Sequence, residues 1–156
     1  MSLSIIIPAF NESSQITNTL TNLKKIKNKI NKFEIIIIDD FSTDNTEDVI
    51  KKLKKRNKLI KLFKNKKKGL GSAIATGILK SKYKYVSIFM ADMSDDPKDL
   101  IKYYEEINNK KIDAVFGTRF SKDSAVEDYP TFKLILNRIF NNIVRLLFFS
   151  KYNDFT

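Results

Sequence analysis

Tyr85-Val86-Ser87-Ile88-Phe89-Met90-Ala91-Asp92-Met93-Ser94-Asp95-Asp96-Pro97 is the stretch that decides the fold. Its first part, Val86 to Met90, is an apolar run of the length of a buried strand. The run breaks off into the carboxylates Asp92, Asp95 and Asp96, and Pro97 suits the first turn of a helix through Leu100, Ile101 and Tyr104. A buried strand with an acid at its C-terminal tip is one way to hold a metal–phosphate group at a sheet edge. Asp92 is read as that acid. For Asp95 and Asp96 two readings stay open: site acids, or caps of the following helix.

The same pattern recurs along the chain. Leu3–Ile7 reads as a first strand closed by Pro8, then a turn, Ala9-Phe10-Asn11-Glu12. The next helix carries Ile16, Leu20, Leu23, Ile26 and Ile30, with Asn11, Ser13 and Ser14 available as caps. Phe33–Ile38 is a second strand, ending in Asp39-Asp40. The helix after it has Glu47 and Asp48 in its first turn and lysines after Ile50, an order that suits the helix dipole. Leu59–Phe63 is a short third strand, and Gly69-Leu70-Gly71-Ser72 opens a helix through Ala73, Ala75 and Ile78. Asp113–Phe116 reads as a fifth strand, followed by Gly117-Thr118-Arg119. Continuously apolar strands alternating with helices imply an α/β fold, a mostly parallel sheet with helices on both faces. Ligands of such sheets sit beyond the carboxyl ends of the strands. Here those ends carry Pro8–Glu12, Asp39 and Asp40, the lysines before Gly69, Asp92 and Arg119.

The last segment differs. Between Phe132 and Phe149 the polar residues Lys133, Asn137, Arg138, Asn141, Asn142 and Arg145 fall on one helix face, and the rest are bulky and apolar. This implies an amphipathic helix over 130–150. It is either an ordinary packed element, in a core or a homodimer, or a helix lying in a membrane interface. Residues 1–156 are expected to form a single domain, and the ending Asn153-Asp154-Phe155-Thr156 suggests one cut short at its C-terminus.

Composition narrows the chemistry. A chain of 156 residues, 42% hydrophobic and 30% charged, has room for a real core. It has no cysteine, which excludes disulfides and thiolate chemistry, and fits a reducing compartment. It also has no histidine, so a general base must be a carboxylate, or the reaction must need little help from a base. Apolar runs stay well short of the roughly 20 residues of a membrane span. The net charge of +11 suits an anionic substrate or membrane surface. Nucleic acid is not expected as a partner, because 25 of the 29 basic residues are lysines spread mostly over helix faces and Lys61–Lys68. Three of the four arginines come late, Arg119, Arg138 and Arg145, and suit bidentate contacts to phosphate.

No Gly-x-Gly-x-x-Gly follows the first strand and no Gly-Lys-Ser/Thr occurs, which excludes the common dinucleotide and P-loop signatures. A receiver-like signalling domain would carry its acidic pair after strand one and a lysine after strand five; here the pair follows strand two and Arg119 follows strand five. What remains is an acidic pair, an acid two strands later and late arginines. Asp40 suits a base or ribose, Asp92 suits Mg²⁺ or Mn²⁺ on a diphosphate, and Arg119 and Arg138 suit phosphate oxygens.

Ile6-Ile7-Pro8-Ala9-Phe10-Asn11-Glu12, the run from Ile37 to Thr46, the run from Gly69 to Gly77, Met90 to Pro97, Gly117-Thr118-Arg119-Phe120 and the terminal Asn-Asp-Phe-Thr form an ordered set. In that order and spacing the chain resembles family 2 glycosyltransferases, in particular the dolichol-phosphate mannosyltransferase and polyprenyl-phosphate glycosyltransferase branch. The resemblance implies a GT-A, Rossmann-like fold and inverting transfer of a sugar from a UDP- or GDP-sugar to a polyprenyl or dolichyl phosphate. It implies that Pro8, Phe10, Glu12, Asp39 and Asp40 lie at the donor's base and ribose. Ala91 and Asp92 would then meet the donor, with Asp92 also the ligand of Mg²⁺ or Mn²⁺. Arg119 and Arg138 would lie near the phosphates, as catalytic groups with Asp92, and Asp154 on the acceptor side. A peripheral place on the cytoplasmic face of the cell membrane follows from such an acceptor. A phosphate acceptor is already ionised at neutral pH, which agrees with the missing histidine. One departure is plain: the first acid of the family's Asp-x-Asp motif is Met90 here. Weakened metal use, a nucleotide-sugar-binding chain of low turnover, or a different glycan acceptor are the alternatives it leaves.

Overall fold

Isoleucine-rich runs make the centre of the molecule. The computed structural model describes residues 2–110, 112–118, 130–150, 152 and 154. Strands β1 (Leu3–Ala9), β2 (Phe33–Asp39), β3 (Ile60–Lys64) and β4 (Tyr85–Ile88) pair in parallel, in the order β3-β2-β1-β4. β1 and β2 occupy the middle and are buried at every residue, which is why both read as unbroken apolar runs. Helices α1 (Ile16–Leu23), α2 (Thr46–Arg56) and α3 (Leu70–Lys80) supply the crossovers, and α4 (Pro97–Lys110) follows β4.

Alternation along β1 and β2 divides the core. Ile5, Ile7, Ile35 and Ile37 belong to one cluster with Ile16, Leu20 and Leu23 of α1, Ile50 of α2 and Leu100 of α4. Ile6, Ile36 and Ile38 form the other, with Ala73 of α3 and the half-buried Phe63. Here α3 comes very close: a Cβ at Gly77 would run into the Ile6 side chain.

At the amino end of the sheet a buried carboxylate ties three strands together. Glu34 Oε1 accepts from Ser4 Oγ (2.7 Å) and from the Lys82 N–H (2.9 Å), and Lys61 Nζ lies 2.6 Å from Oε2. Burial pushes the Glu34 carboxyl up, but the bonds from Lys61, Ser4 and Lys82 outweigh it and hold the group below its usual range.

Three details depart from the sequence reading. The first helix ends at Leu23, and a 3₁₀ turn, Lys24–Asn28, follows; this tighter winding still buries Ile26 and Ile30. β4 is not fully buried: among the described residues it pairs with β1 alone, and Val86 and Ile88 are exposed while Phe89 beyond it is buried. Asp113–Phe116 is not a strand. Its apolar part, Ala114–Phe116, is shorter than a typical strand and joins no ladder.

Residues 1–113 and 114–156 are two compact units. The second contains α5 (Thr131–Leu147), within which Asn141 is buried and donates to Asn137 O (2.9 Å) and Oδ1 (3.0 Å). The large side chains Phe132, Ile139, Phe140, Leu146 and Leu147 of α5 are exposed, and Phe116 meets Tyr152 edge to face. Among the described residues no helix is long and apolar enough to cross a membrane.

Candidate active site

Every strand of the sheet leaves through a left-handed residue. Asn11 (φ 57°) follows β1, Phe41 (φ 63°) follows β2, Gly69 (φ 129°) follows β3 and Met93 (φ 67°) follows β4. Only one of the four is glycine, so the other three turns hold backbone strain at the carboxyl edge.

The β1 and β2 exits are laced together. Asn11 N–H donates to Ser42 Oγ (3.1 Å), and Asn11 Oδ1 accepts from the Thr43 N–H (2.7 Å). Glu12 N–H donates to Thr46 Oγ1 (2.8 Å) and Ser13 N–H to Asp44 Oδ2 (3.2 Å). α1 starts without a side-chain cap: the Gln15 and Ile16 N–H groups at its start donate to Glu12 O instead, and Asp44 and Thr46 hold the backbone just ahead of it. Hydrogen bonds from Thr46 and Ser13 hold the Asp44 carboxyl well below its usual range.

The β3 exit is built around Asp40. Its Oδ1 accepts from Asn65 Nδ2 (2.7 Å) and Gly69 N–H (3.0 Å), and its Oδ2 accepts from the same Gly69 N–H (2.9 Å). Asn65 is buried and organises the loop further. Its Oδ1 accepts from the Lys66 N–H, Ser72 Oγ and Thr76 Oγ1, and its Nδ2 also donates to Lys67 O. Sequence reasoning missed Asn65, hidden in a lysine run; the available signal was a single amide four residues before Gly69. Lys68 Nζ sits 4.6 Å from the centre of the half-exposed Phe10 ring, which joins this loop to the β1 exit.

At the β4 exit Asp92 is exposed, and its Oδ1 accepts from the Ser94 N–H (3.0 Å). Asp95 and Asp96 have separate tasks. Asp96 Oδ1 accepts from the Lys98 N–H (2.8 Å) and caps α4, whereas Asp95 Oδ2 accepts from the Met90 N–H (2.6 Å) and folds the loop back on its strand. Loss of solvent raises the Asp95 carboxyl, with Asp92 and Asp99 adding to it against the Met90 bond.

The carboxyl edge gathers Phe10, Glu12, Asp40 and Asp92. The Glu12 carboxyl is raised by loss of solvent and then by the carboxylates of Asp92 and Asp44, so Asp92 and Glu12 feel each other across the β1 and β4 exits. Pro8 pairs with Ile38, and Ala9 with Asp39, in the ladder below. Asp39 is buried, and its Oδ1 has no hydrogen-bond partner among the described residues. Ala91 is buried beside Asp92. Arg119 lies outside the described residues; Arg138, exposed on α5, and Asp154, half-buried, belong to the second unit.

Among the described residues no three acids gather as a metal site. Asp92 nevertheless fits a divalent ion that draws its other ligands from a diphosphate: it is exposed, and its Oδ2 is not used by the Ser94 bond.

The family model for glycosyl transferase family 2 matches residues 4–155. The chain belongs to this family. Its glycosyltransferase relatives include a dolichol-phosphate mannosyltransferase from Pyrococcus furiosus, 27% identical over 88% of this chain and 39% of that protein. An uncharacterized protein from Methanocaldococcus jannaschii is 34% identical over 92% of this chain and 57% of its own length. The chain thus spans well under two thirds of the curated relatives it matches. Among solved structures, S. aureus TarS in complex with UDP-GlcNAc is similar, with a TM-score of 0.56 and 26% identity over 69% of this chain and 31% of that one. The mannosyltransferase PcManGT from Pyrobaculum calidifontis, in complex with GDP-Man and Mn²⁺, shares the fold at a TM-score of 0.62 and 20% identity, covering 70% of this chain and 33% of that chain. The α/β, GT-A architecture expected from the sequence is therefore the observed one.

Proposed function

We propose that this glycosyltransferase family 2 chain carries the donor half of an inverting transfer from a nucleotide-diphosphate sugar to a polyprenyl or dolichyl phosphate. The observation that carries the proposal is the convergence of an exposed aromatic ring, Phe10, with the carboxylates of Glu12, Asp40 and Asp92 at one sheet edge. Phe10 offers a stacking face for a base, and Asp40 offers acceptor capacity on Oδ2 beyond its bond to Gly69. Asp92 would hold Mg²⁺ or Mn²⁺ against the diphosphate, and the ion supplies positive charge for the leaving group. A lipid-phosphate oxygen attacks the anomeric carbon as the bond to the diphosphate breaks, and the nucleoside diphosphate departs. No proton has to be removed from an ionised phosphate, and a chain without histidine suits that step. The curated mannosyltransferase relative is the support for a lipid-phosphate acceptor. Arg119 and Arg138 are proposed to take phosphate oxygens, and Asp154 to lie on the acceptor side. A peripheral place on the cytoplasmic membrane face belongs to the same proposal.

Calorimetry with UDP and GDP, with and without Mn²⁺ or Mg²⁺, tests it. Asp92→Asn keeps the shape of the group but loses its charge, and should abolish the metal-dependent part of the affinity. Met90→Asp adds a second hard oxygen ligand and should strengthen that part. Nucleotide affinity indifferent to metal in both backgrounds rules out the role given to Asp92.

A further inference from the structure

Thr19 is a polar residue on the inward face of α1. Its neighbours there are Ile16, Leu20 and Leu23, and Thr19 itself is 1% exposed. Burying a hydroxyl without a partner is costly, so the partner is informative. Thr19 Oγ1 lies 2.6 Å from Ala91 O and 3.2 Å from Gln15 O. A hydroxyl has one proton to donate, and the shorter contact, across 72 residues of chain, is to Ala91. The carbonyl of the residue directly before Asp92 is therefore anchored in the core. Because a peptide unit is planar, fixing this carbonyl fixes the plane from which Asp92 departs.

Two further bonds hold the same loop, both internal to it: Met90 N–H to Asp95 Oδ2 and Ser94 N–H to Asp92 Oδ1. They shape the loop, whereas the Thr19 bond attaches it to a helix. Met93 sits in the left-handed region between them, a conformation that persists only when its surroundings impose it.

We infer that Thr19 is a positioning residue that sets Asp92 for the donor diphosphate and its cation, through the Ala91 carbonyl. The inference rests on the role proposed above for Asp92. Among the described residues no group of three acids forms around Asp92, so its own placement counts for more.

Two substitutions separate this from ordinary packing. Thr19→Val keeps the shape and removes the hydroxyl; Thr19→Ser keeps the hydroxyl and removes a methyl group. GDP and UDP affinities are measured by calorimetry with and without Mn²⁺. Thr19→Val should weaken the Mn²⁺-dependent part about 10-fold, the scale of losing an outer-shell partner, while the metal-free affinity stays within about 2-fold. Thr19→Ser should keep the Mn²⁺-dependent part. A valine variant with that part intact, or a serine variant that loses it equally, overturns the inference. If Mn²⁺ has no effect even on the unaltered chain, the role of Asp92 fails, and amide hydrogen exchange then decides the clamp by itself. Faster exchange at Met90 and Ser94 in the valine variant alone supports the clamp, and unchanged exchange there overturns it.

Discussion

Asp40 closes on Gly69: a single backbone N–H is shared by both oxygens of the carboxylate, at 3.0 and 2.9 Å. The acid at the tip of β2 is thus a structural member of the β3–α3 loop before any ligand arrives. Gly69 has φ 129°, which a side chain would strain, and the bidentate bond holds it there.

Removing Asp40 should therefore have two effects. Asp40→Ala should lower stability by about 1.5–3 kcal/mol, the scale of hydrogen bonds to a charged group, and weaken nucleotide binding by a comparable amount. Urea denaturation and calorimetry read the two separately. A loss of stability with unchanged nucleotide affinity would confine Asp40 to the loop.

Glu34 predicts a pH dependence at the opposite end of the sheet. Its folded carboxyl is held below the usual value of 4.5, so the stability it contributes is fully present above that value and is lost as pH falls through the folded one. Lys61→Met removes the charged partner of the buried carboxylate, leaving it the bonds from Ser4 and Lys82, and should cost about 3 kcal/mol at neutral pH. Without Lys61 only the bonds from Ser4 and Lys82 oppose burial, so the Glu34 carboxyl should lie higher in the variant than in the unaltered chain and the acid limb should flatten. Urea midpoints between about pH 3 and pH 7, for the chain and the variant, check the sign. Parallel acid limbs for the two proteins would show that the Lys61 pair does not set this dependence.

The amphipathic α5 gives a third prediction. It exposes Phe132, Phe140 and Leu146, and its polar residues include Lys133, Arg138 and Arg145. Placed on a membrane, it should bring the chain down with anionic liposomes, and binding should weaken as salt rises. Arg138→Lys should impair sugar transfer more than liposome binding, because lysine keeps the charge and loses the bidentate fork. No sedimentation at low salt would return α5 to a core or dimer-packing role.

What the sequence disclosed follows from how directly each feature is coded. The Ile5–Ile7 and Ile35–Ile38 runs announced central strands because both faces of β1 and β2 are covered. Asp92 was visible because an acid ended an apolar run. β4 was misjudged because an edge strand and a central one share the same apolar letters, and only pairing distinguishes them. Asn65 stayed hidden because its importance lies in side-chain contacts that only the fold creates, to Asp40 25 residues back and to Ser72 and Thr76 on α3. Thr19 was passed over for a similar reason: the helical period marks the position as inward-facing, but nothing local reveals that the Ala91 carbonyl, in the loop after β4, waits there.

The left-handed exits at Asn11, Phe41 and Met93 invert the usual ranking of substitutions. Within a strand or helix glycine is among the costliest replacements, whereas at these positions it is the residue the backbone would favour, by about 1 kcal/mol over alanine. A comprehensive mutational scan scored on folding alone should mark them as glycine-tolerant and alanine-sensitive, directly beside strands of the opposite character. The same scan scored on donor binding should mark Asn11 differently from the other two. Its amide spans to Thr43, and glycine would relieve the backbone while cutting one of the ties between the first two strand exits.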